Sequence, residues 1–226
     1  MARHSRTEHE RPGPARRPQQ TLALLVCVAL ALALERNLRT FPYVPRELEL
    51  FAVVLAKAAV LGAGFAGAWA LGHSPIDLGV QWPAARGRRL MALAVLAAVV
   101  GGVALGQLDA VRAQYPLYEP ARSSAAALAL STCVFAVYAF AWELTFRGVL
   151  LFGAAPLLGR ASLVAQAAVF ALAHLGKPTI ELALAFPGGL AFGLLSLRSR
   201  SVLAPFAAHV ALAVTVNVVC IAPRLR

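Results

Sequence analysis

Between residues 21 and 222 the chain is a succession of apolar blocks parted by short polar segments, and most of these blocks are long enough to cross a bilayer. A spanning helix needs about 20 mostly apolar residues. Lipid offers no partner to an open backbone, so a spanning block has to be helical. The blocks are Thr21–Leu34, Leu48–Gly72, Leu90–Gly106, Ser124–Phe152, Ala161–Gly176, Thr179–Leu197 and Ser201–Ala222. The expected fold is therefore all-α, a polytopic membrane bundle of about seven transmembrane helices. A basic tail over residues 1–20 has nothing to bury and is expected to be disordered; residues 21–226 form the multi-spanning domain.

Composition agrees, with 60% hydrophobic and 14% charged residues, against about 25% charged in soluble domains. The net charge of +11 does not point to nucleic acid, because the arginines sit in the tail and at the flanks of apolar blocks, where they orient a membrane protein. The inside–outside count of basic residues favours a cytoplasmic N-terminus in a cytoplasmic (inner) membrane. Cys27, Cys133 and Cys220 lie singly in apolar runs and form no metal spacing. Thr21–Leu34 has signal-peptide length, but "ERNLRTFPYVPRE" follows it with no small-residue cleavage site. It is expected to be a short first span or an uncleaved anchor.

Against this background a few polar residues stand out. Lys57 lies inside the second block, to snorkel or to face the interior. Gly62, Gly64 and Gly67 would admit a close neighbouring helix. Pro187, Gly188 and Gly189 interrupt the sixth block and suggest a lateral opening. Beyond residue 124 the ionisable groups within apolar blocks are Glu143, Arg147, His174, Glu181 and His209, and Glu181 falls at a helix start, where the dipole favours it. Glu143 and Arg147, four apart, share a helix face and can pair. Pairing alone does not account for them, since apolar residues would be cheaper there. Together with His174 and His209 on other helices, Glu143 can polarise a water for hydrolysis. The same trio can instead hold a divalent metal such as zinc with an open position.

Three pieces in order, "WELTFRGVL" (Trp142–Leu150), "FALAH" (Phe170–His174) and "HVALA" (His209–Ala213), resemble the signature of the CPBP intramembrane proteases (CAAX protease and bacteriocin-processing, or Abi), in a prokaryotic branch. That signature runs EExxxR, FxxxH, then a His followed four positions on by Asn or a small residue. "IDLGVQWPAARGRR" (Ile76–Arg89) also looks like the loop common upstream, so the resemblance covers about residues 76–222. It implies an endopeptidase acting on a membrane-anchored or lipid-modified peptide, with Glu143, Arg147, His174 and His209 as site residues. Glu143 would be the base or the group positioning it, Arg147 would hold it ionised, and the histidines would orient water and stabilise the oxyanion. Such a mechanism requires no cofactor. Trp142 aligns with the family's first glutamate, and a tryptophan accepts no proton. Ala213 stands where Asn often does; Asn217 lies about 80° off the His209 face and about 12 Å along the helix. Two other readings remain: a catalytically lapsed scaffold or immunity-type binding protein, and a proton-coupled carrier with Lys57, Glu143 and the histidines as relay.

Overall fold

The computed structural model describes residues 18–38, 44 and 46–222. Nearly all of the basic tail, residues 1–17, lies outside them. Helix α1 (Pro18–Asn37) begins inside the segment expected to be tail. Its faces divide by period: Leu22, Val26, Leu30 and Leu34 are exposed, whereas Leu24, Val28, Ala31 and Glu35 are buried. A stripe of leucines and valines left bare on one side is what a lipid-facing helix presents.

α1 packs on α2 (Arg46–Ala70). Of the three glycines expected to bring helices together there, Gly64 and Gly67 face Val28, Ala31 and Cys27 at distances an alanine would also tolerate, and Gly62 faces open space. The close approaches lie elsewhere. Helix α3 (Ala85–Leu105) starts five residues before the apolar block itself and runs beside α9 (Leu203–Ile221). A Cβ at Gly102 or Gly106 would come within 2.8 Å of Thr215 or 2.7 Å of Val219. After α3 the chain makes the short helix α4 (Asp109–Gln114) and a 3-10 turn, Glu119–Arg122.

Ser124 caps α5 (Ala125–Glu143), its Oγ accepting from Ala127 N–H at 3.3 Å. The helix then widens into a π-helical segment, Leu144–Gly153. Ala154 N–H donates to Val149 O, five residues back, at 3.0 Å. Thr145 Oγ donates to Ala141 O at 2.9 Å, at the start of the wide turn. Bonds of this kind compete with the regular ladder, and π segments tend to mark functional sites. A single turn, α6 (Ala155–Leu158), leads to α7 (Ala161–Ala173) and α8 (Thr179–Ser199).

The expected interruption at Pro187–Gly189 is not present: α8 runs through it as one helix. Proline there forfeits a single ladder bond, and tertiary packing holds the rest. Gly189 lies against the α7 backbone, where a Cβ would sit 3.0 Å from Ala167 Cα, and Gly193 lies against Gln166 and Leu163. Gln166 Nε2 donates to Gly189 O at 2.8 Å across the same contact. These residues lock two helices rather than part them.

Among the described residues, five helical stretches are long and apolar enough to cross a membrane: Leu48–Ala70, Ala85–Leu105, Ala125–Gly153, Thr179–Ser199 and Leu203–Ile221. Ala161–Ala173 is a shorter apolar helix. The all-helical, polytopic architecture expected from the blocks is the one observed.

Candidate active site

Residues 73–84, the loop between α2 and α3, hold the motif helix in place. Ser74 and Asp77 exchange bonds across a tight turn: Asp77 N–H donates to Ser74 Oγ at 3.2 Å, and Ser74 N–H donates to Asp77 Oδ2 at 3.0 Å. Gly79 follows with φ +75°, and a Cβ there would strike the Phe152 ring. The loop thereby sets Leu78 O 3.2 Å from the place where a Cβ on Gly148 would sit. The glycine of "FRG" is the place where this loop crosses the π segment. Gly79 O also accepts from Val202 N–H at 2.9 Å, which fixes the start of α9 and so the height of His209.

Glu143 and Arg147 are fully buried, and Arg147 Nη1 stands 3.2 Å from Glu143 Oε2 and 3.4 Å from Oε1. The widened turn keeps the two side chains on one face. The guanidinium lies over the Phe170 ring at 4.4 Å and near Phe192 at 5.3 Å, so two π faces supplement the single carboxylate. Its Nε and Nη2 have no hydrogen-bond partner among the described residues. Glu143 Oε1 also accepts from His209 Nδ1 at 2.8 Å. His174, just past the last turn of α7, donates from Nδ1 to Phe170 O at 2.8 Å. A carboxylate and a carbonyl can only accept, so both imidazoles carry hydrogen on Nδ1 and, when neutral, a lone pair on Nε2.

Both histidines line a cavity of about 1330 Å³ between the helices. Its wall is mainly apolar, which suits a lipid-like or peptide ligand more than a small polar one. Trp142 lines it too, whereas Glu143 and Arg147 do not. The Trp142 ring sits among Phe146 (4.8 Å), Tyr138 (5.4 Å), Phe170 (6.1 Å) and His174 (6.1 Å). Of the two adjacent positions, then, the tryptophan faces the cavity and the glutamate lies behind His209. Ala213 lines the cavity one turn beyond His209, and Asn217 does so farther along α9.

The donor set does not suit a metal ion. Glu143 spends Oε1 on His209 and faces Arg147 with both oxygens, and no group of three His, Cys, Asp or Glu among the described residues could hold one. The two imidazoles are the lone-pair donors facing the cavity from the original trio.

Two further polar clusters on the same cavity escaped the sequence reading. In one, Glu35 Oε1 accepts from Lys57 Nζ at 2.9 Å and from Tyr138 O–H at 3.0 Å, joining α1, α2 and α5. Lys57 therefore faces the interior and is paired. In the other, Tyr115 O–H donates to Glu181 Oε2 at 3.1 Å. Burial, and then the charge of Glu181, push the Tyr115 phenol well above its ordinary pKa, so it remains a donor. Spacing gave no sign of either cluster, because their partners are 22 to 103 residues apart.

Residues 123–215 match the family model described as type II CAAX prenyl endopeptidase Rce1-like. The match spans α5, the π segment, α7, α8 and the first two-thirds of α9; it leaves α1 to α4 outside. Neither a curated protein nor a solved structure matches the chain. The stretch that carries Glu143, Arg147, His174 and His209 is thus the stretch the family model covers, and the chain is a multi-pass membrane protein whose residues 123–215 are similar to the Rce1-like type II CAAX prenyl endopeptidases.

Proposed function

We propose that this protein is an intramembrane endopeptidase that hydrolyses a peptide bond of a membrane-anchored or lipid-modified substrate, using a Glu143–His209 dyad in place of a direct glutamate base. The observation that carries the reading is the His209–Glu143 bond of 2.8 Å, made by a histidine that lines the cavity. His209 Nε2 takes a proton from water as the water oxygen attacks the scissile carbonyl carbon. Glu143, paired with Arg147, stabilises the imidazolium that forms and fixes its tautomer. His174 Nε2 accepts the other hydrogen of the same water and orients it. The tetrahedral oxyanion then collapses, the C–N bond breaks, and the leaving amine takes its proton from His209. The apolar cavity wall holds the anchored end of the substrate. The protein resides in the cytoplasmic membrane with its N-terminus inside.

A second reading is favoured by Trp142 and Ala213, which line the cavity where the family signature places a glutamate and, often, an asparagine. On that reading the fold is kept as a binding protein without hydrolysis. The test is to incubate the purified protein in liposomes with acylated peptide libraries and detect fragments by mass spectrometry. Cleavage by the natural protein, lost in Glu143→Ala, His174→Ala and His209→Ala, supports the enzyme. Intact peptides throughout overturn it in favour of the binding protein.

A further inference from the structure

The cavity end formed by α8 and the last turns of α9 contains a carboxylate with an oxygen that has no hydrogen-bond partner among the described residues. Glu181 is the third residue of α8, the position from which a glutamate ordinarily reaches back to the N-cap N–H. Here the N-cap is Pro178, which has no N–H to give. Tyr115 satisfies Oε2, and Oε1 is buried with no hydrogen-bond partner. Neither Arg112 nor Lys177 donates a hydrogen bond to Glu181 Oε1. Arg112 donates to Cys220 O at 3.2 Å and Ala222 O at 2.9 Å, and Lys177 lies 6.0 Å from the centre of the Tyr115 ring. Asn217 Oδ1, on the facing helix, is likewise buried without a partner. Both side chains line the cavity. Tyr115 ties them to one locality, since it packs against the cluster of Val111, Val216 and Cys220, the last two on α9, while holding Glu181 on α8.

Two acceptors with unused lone pairs, one of them a carboxylate oxygen, call for a donor carrying positive charge. We infer that Glu181 and Asn217 form a subsite for an ammonium or guanidinium group on the substrate peptide, a lysine or arginine side chain. The inference rests on the reading of the cavity as a peptide site. Asn217 stands eight residues beyond His209, about 12 Å along α9, which an extended peptide covers in about three to four residues. The basic residue belongs at that distance from the bond facing His209. The guanidinium or ammonium would accept charge compensation from Glu181 Oε1 and donate a second hydrogen bond to Asn217 Oδ1.

The test measures binding apart from cleavage. Fluorescent acylated peptides, identical except for Lys, Ala or Glu at one position, are titrated into the full chain in nanodiscs, with the variable residue moved stepwise through the peptide. The natural protein should bind the Lys peptide at least about tenfold more tightly than the Glu peptide, and only when the residue sits about three to four positions from the centre of contact. Glu181→Gln, which preserves shape, should remove the preference, and Asn217→Leu should weaken it. Equal binding of all three peptides, or a preference that survives Glu181→Gln, overturns the subsite. Charge-selective binding with no cleavage of any peptide upholds the subsite and sinks the protease reading instead.

Discussion

His209 Nδ1 lies 2.8 Å from Glu143 Oε1, a bond across 66 residues that ties α9 to the last turn of α5. It gives the buried glutamate a partner beyond Arg147 and leaves the other imidazole nitrogen of a cavity-lining histidine unspent on Glu143. A charge pair inside an apolar bundle would by itself be poor value for stability. Here the pair also aims a base.

Because Arg147 has Glu143 as its carboxylate, Glu143→Leu leaves a buried cation without a counter-charge. The expected cost is about 3–5 kcal/mol, read as a large fall in the unfolding midpoint in detergent. The double variant Glu143→Leu with Arg147→Met removes both charges and should recover most of it. If the double variant is as unstable as the sum of the two single ones, the pair is not coupled as described.

Trp142→Glu places a carboxylate on the cavity wall beside His174. Hydrolysis of an anchored peptide should rise by about 100-fold, in the range of one general base, relative to Trp142→Gln as the control. Thermal stability should fall in both, since each loses an indole packed at 4.8 Å on Phe146 and 5.4 Å on Tyr138. Equal activity of the Glu and Gln variants would show that position 142 has no access to the reacting water.

Gly188 and Gly189 are neighbours in sequence with opposite surroundings. Gly189→Ala forces a Cβ to within 3.0 Å of Ala167 Cα and should destabilise by about 1–3 kcal/mol, loosening the seat of α7 and lowering any activity that depends on His174. Gly188 has nothing within 4 Å of its Cβ position. Gly188→Ala should therefore stabilise by up to about 1 kcal/mol through helix propensity. Melting curves that rank the two variants the other way would contradict the α7–α8 packing.

Lys57→Met removes the cation from Glu35, a buried carboxylate that then keeps only the Tyr138 bond. A lowered unfolding midpoint is expected, together with partial recovery in Lys57→Met with Glu35→Gln. An unchanged midpoint in the single variant would mean that the pair does not hold α1 to the rest of the bundle.

Much of the candidate site was legible before any coordinates. The i, i+4 spacing of Glu143 and Arg147 put them on one face, and the widened turn preserves that pairing. The histidines on α7 and α9 were conspicuous as ionisable groups in apolar runs. The sequence did not reveal that Glu143 sits behind His209 while Trp142 takes the cavity wall. A helix rotation of about 100° separates the two positions, and only the packing of Phe146, Phe170 and the 73–84 loop sets that rotation.

The same division runs through the whole protein. Block length and hydrophobicity alone determined that the chain is a membrane bundle of helices, because lipid leaves the backbone no other way to satisfy its hydrogen bonds. Which helices touch was decided by tertiary structure. The glycines that matter are Gly102, Gly106, Gly189 and Gly193, and no spacing rule set them apart from Gly62, Gly64 and Gly67. The joins between Glu35 and Lys57, Tyr115 and Glu181, and Glu143 and His209 are also tertiary. A helix's period fixes only what lies within a turn or two; groups that meet across tens of residues do so because the packed bundle brings them there.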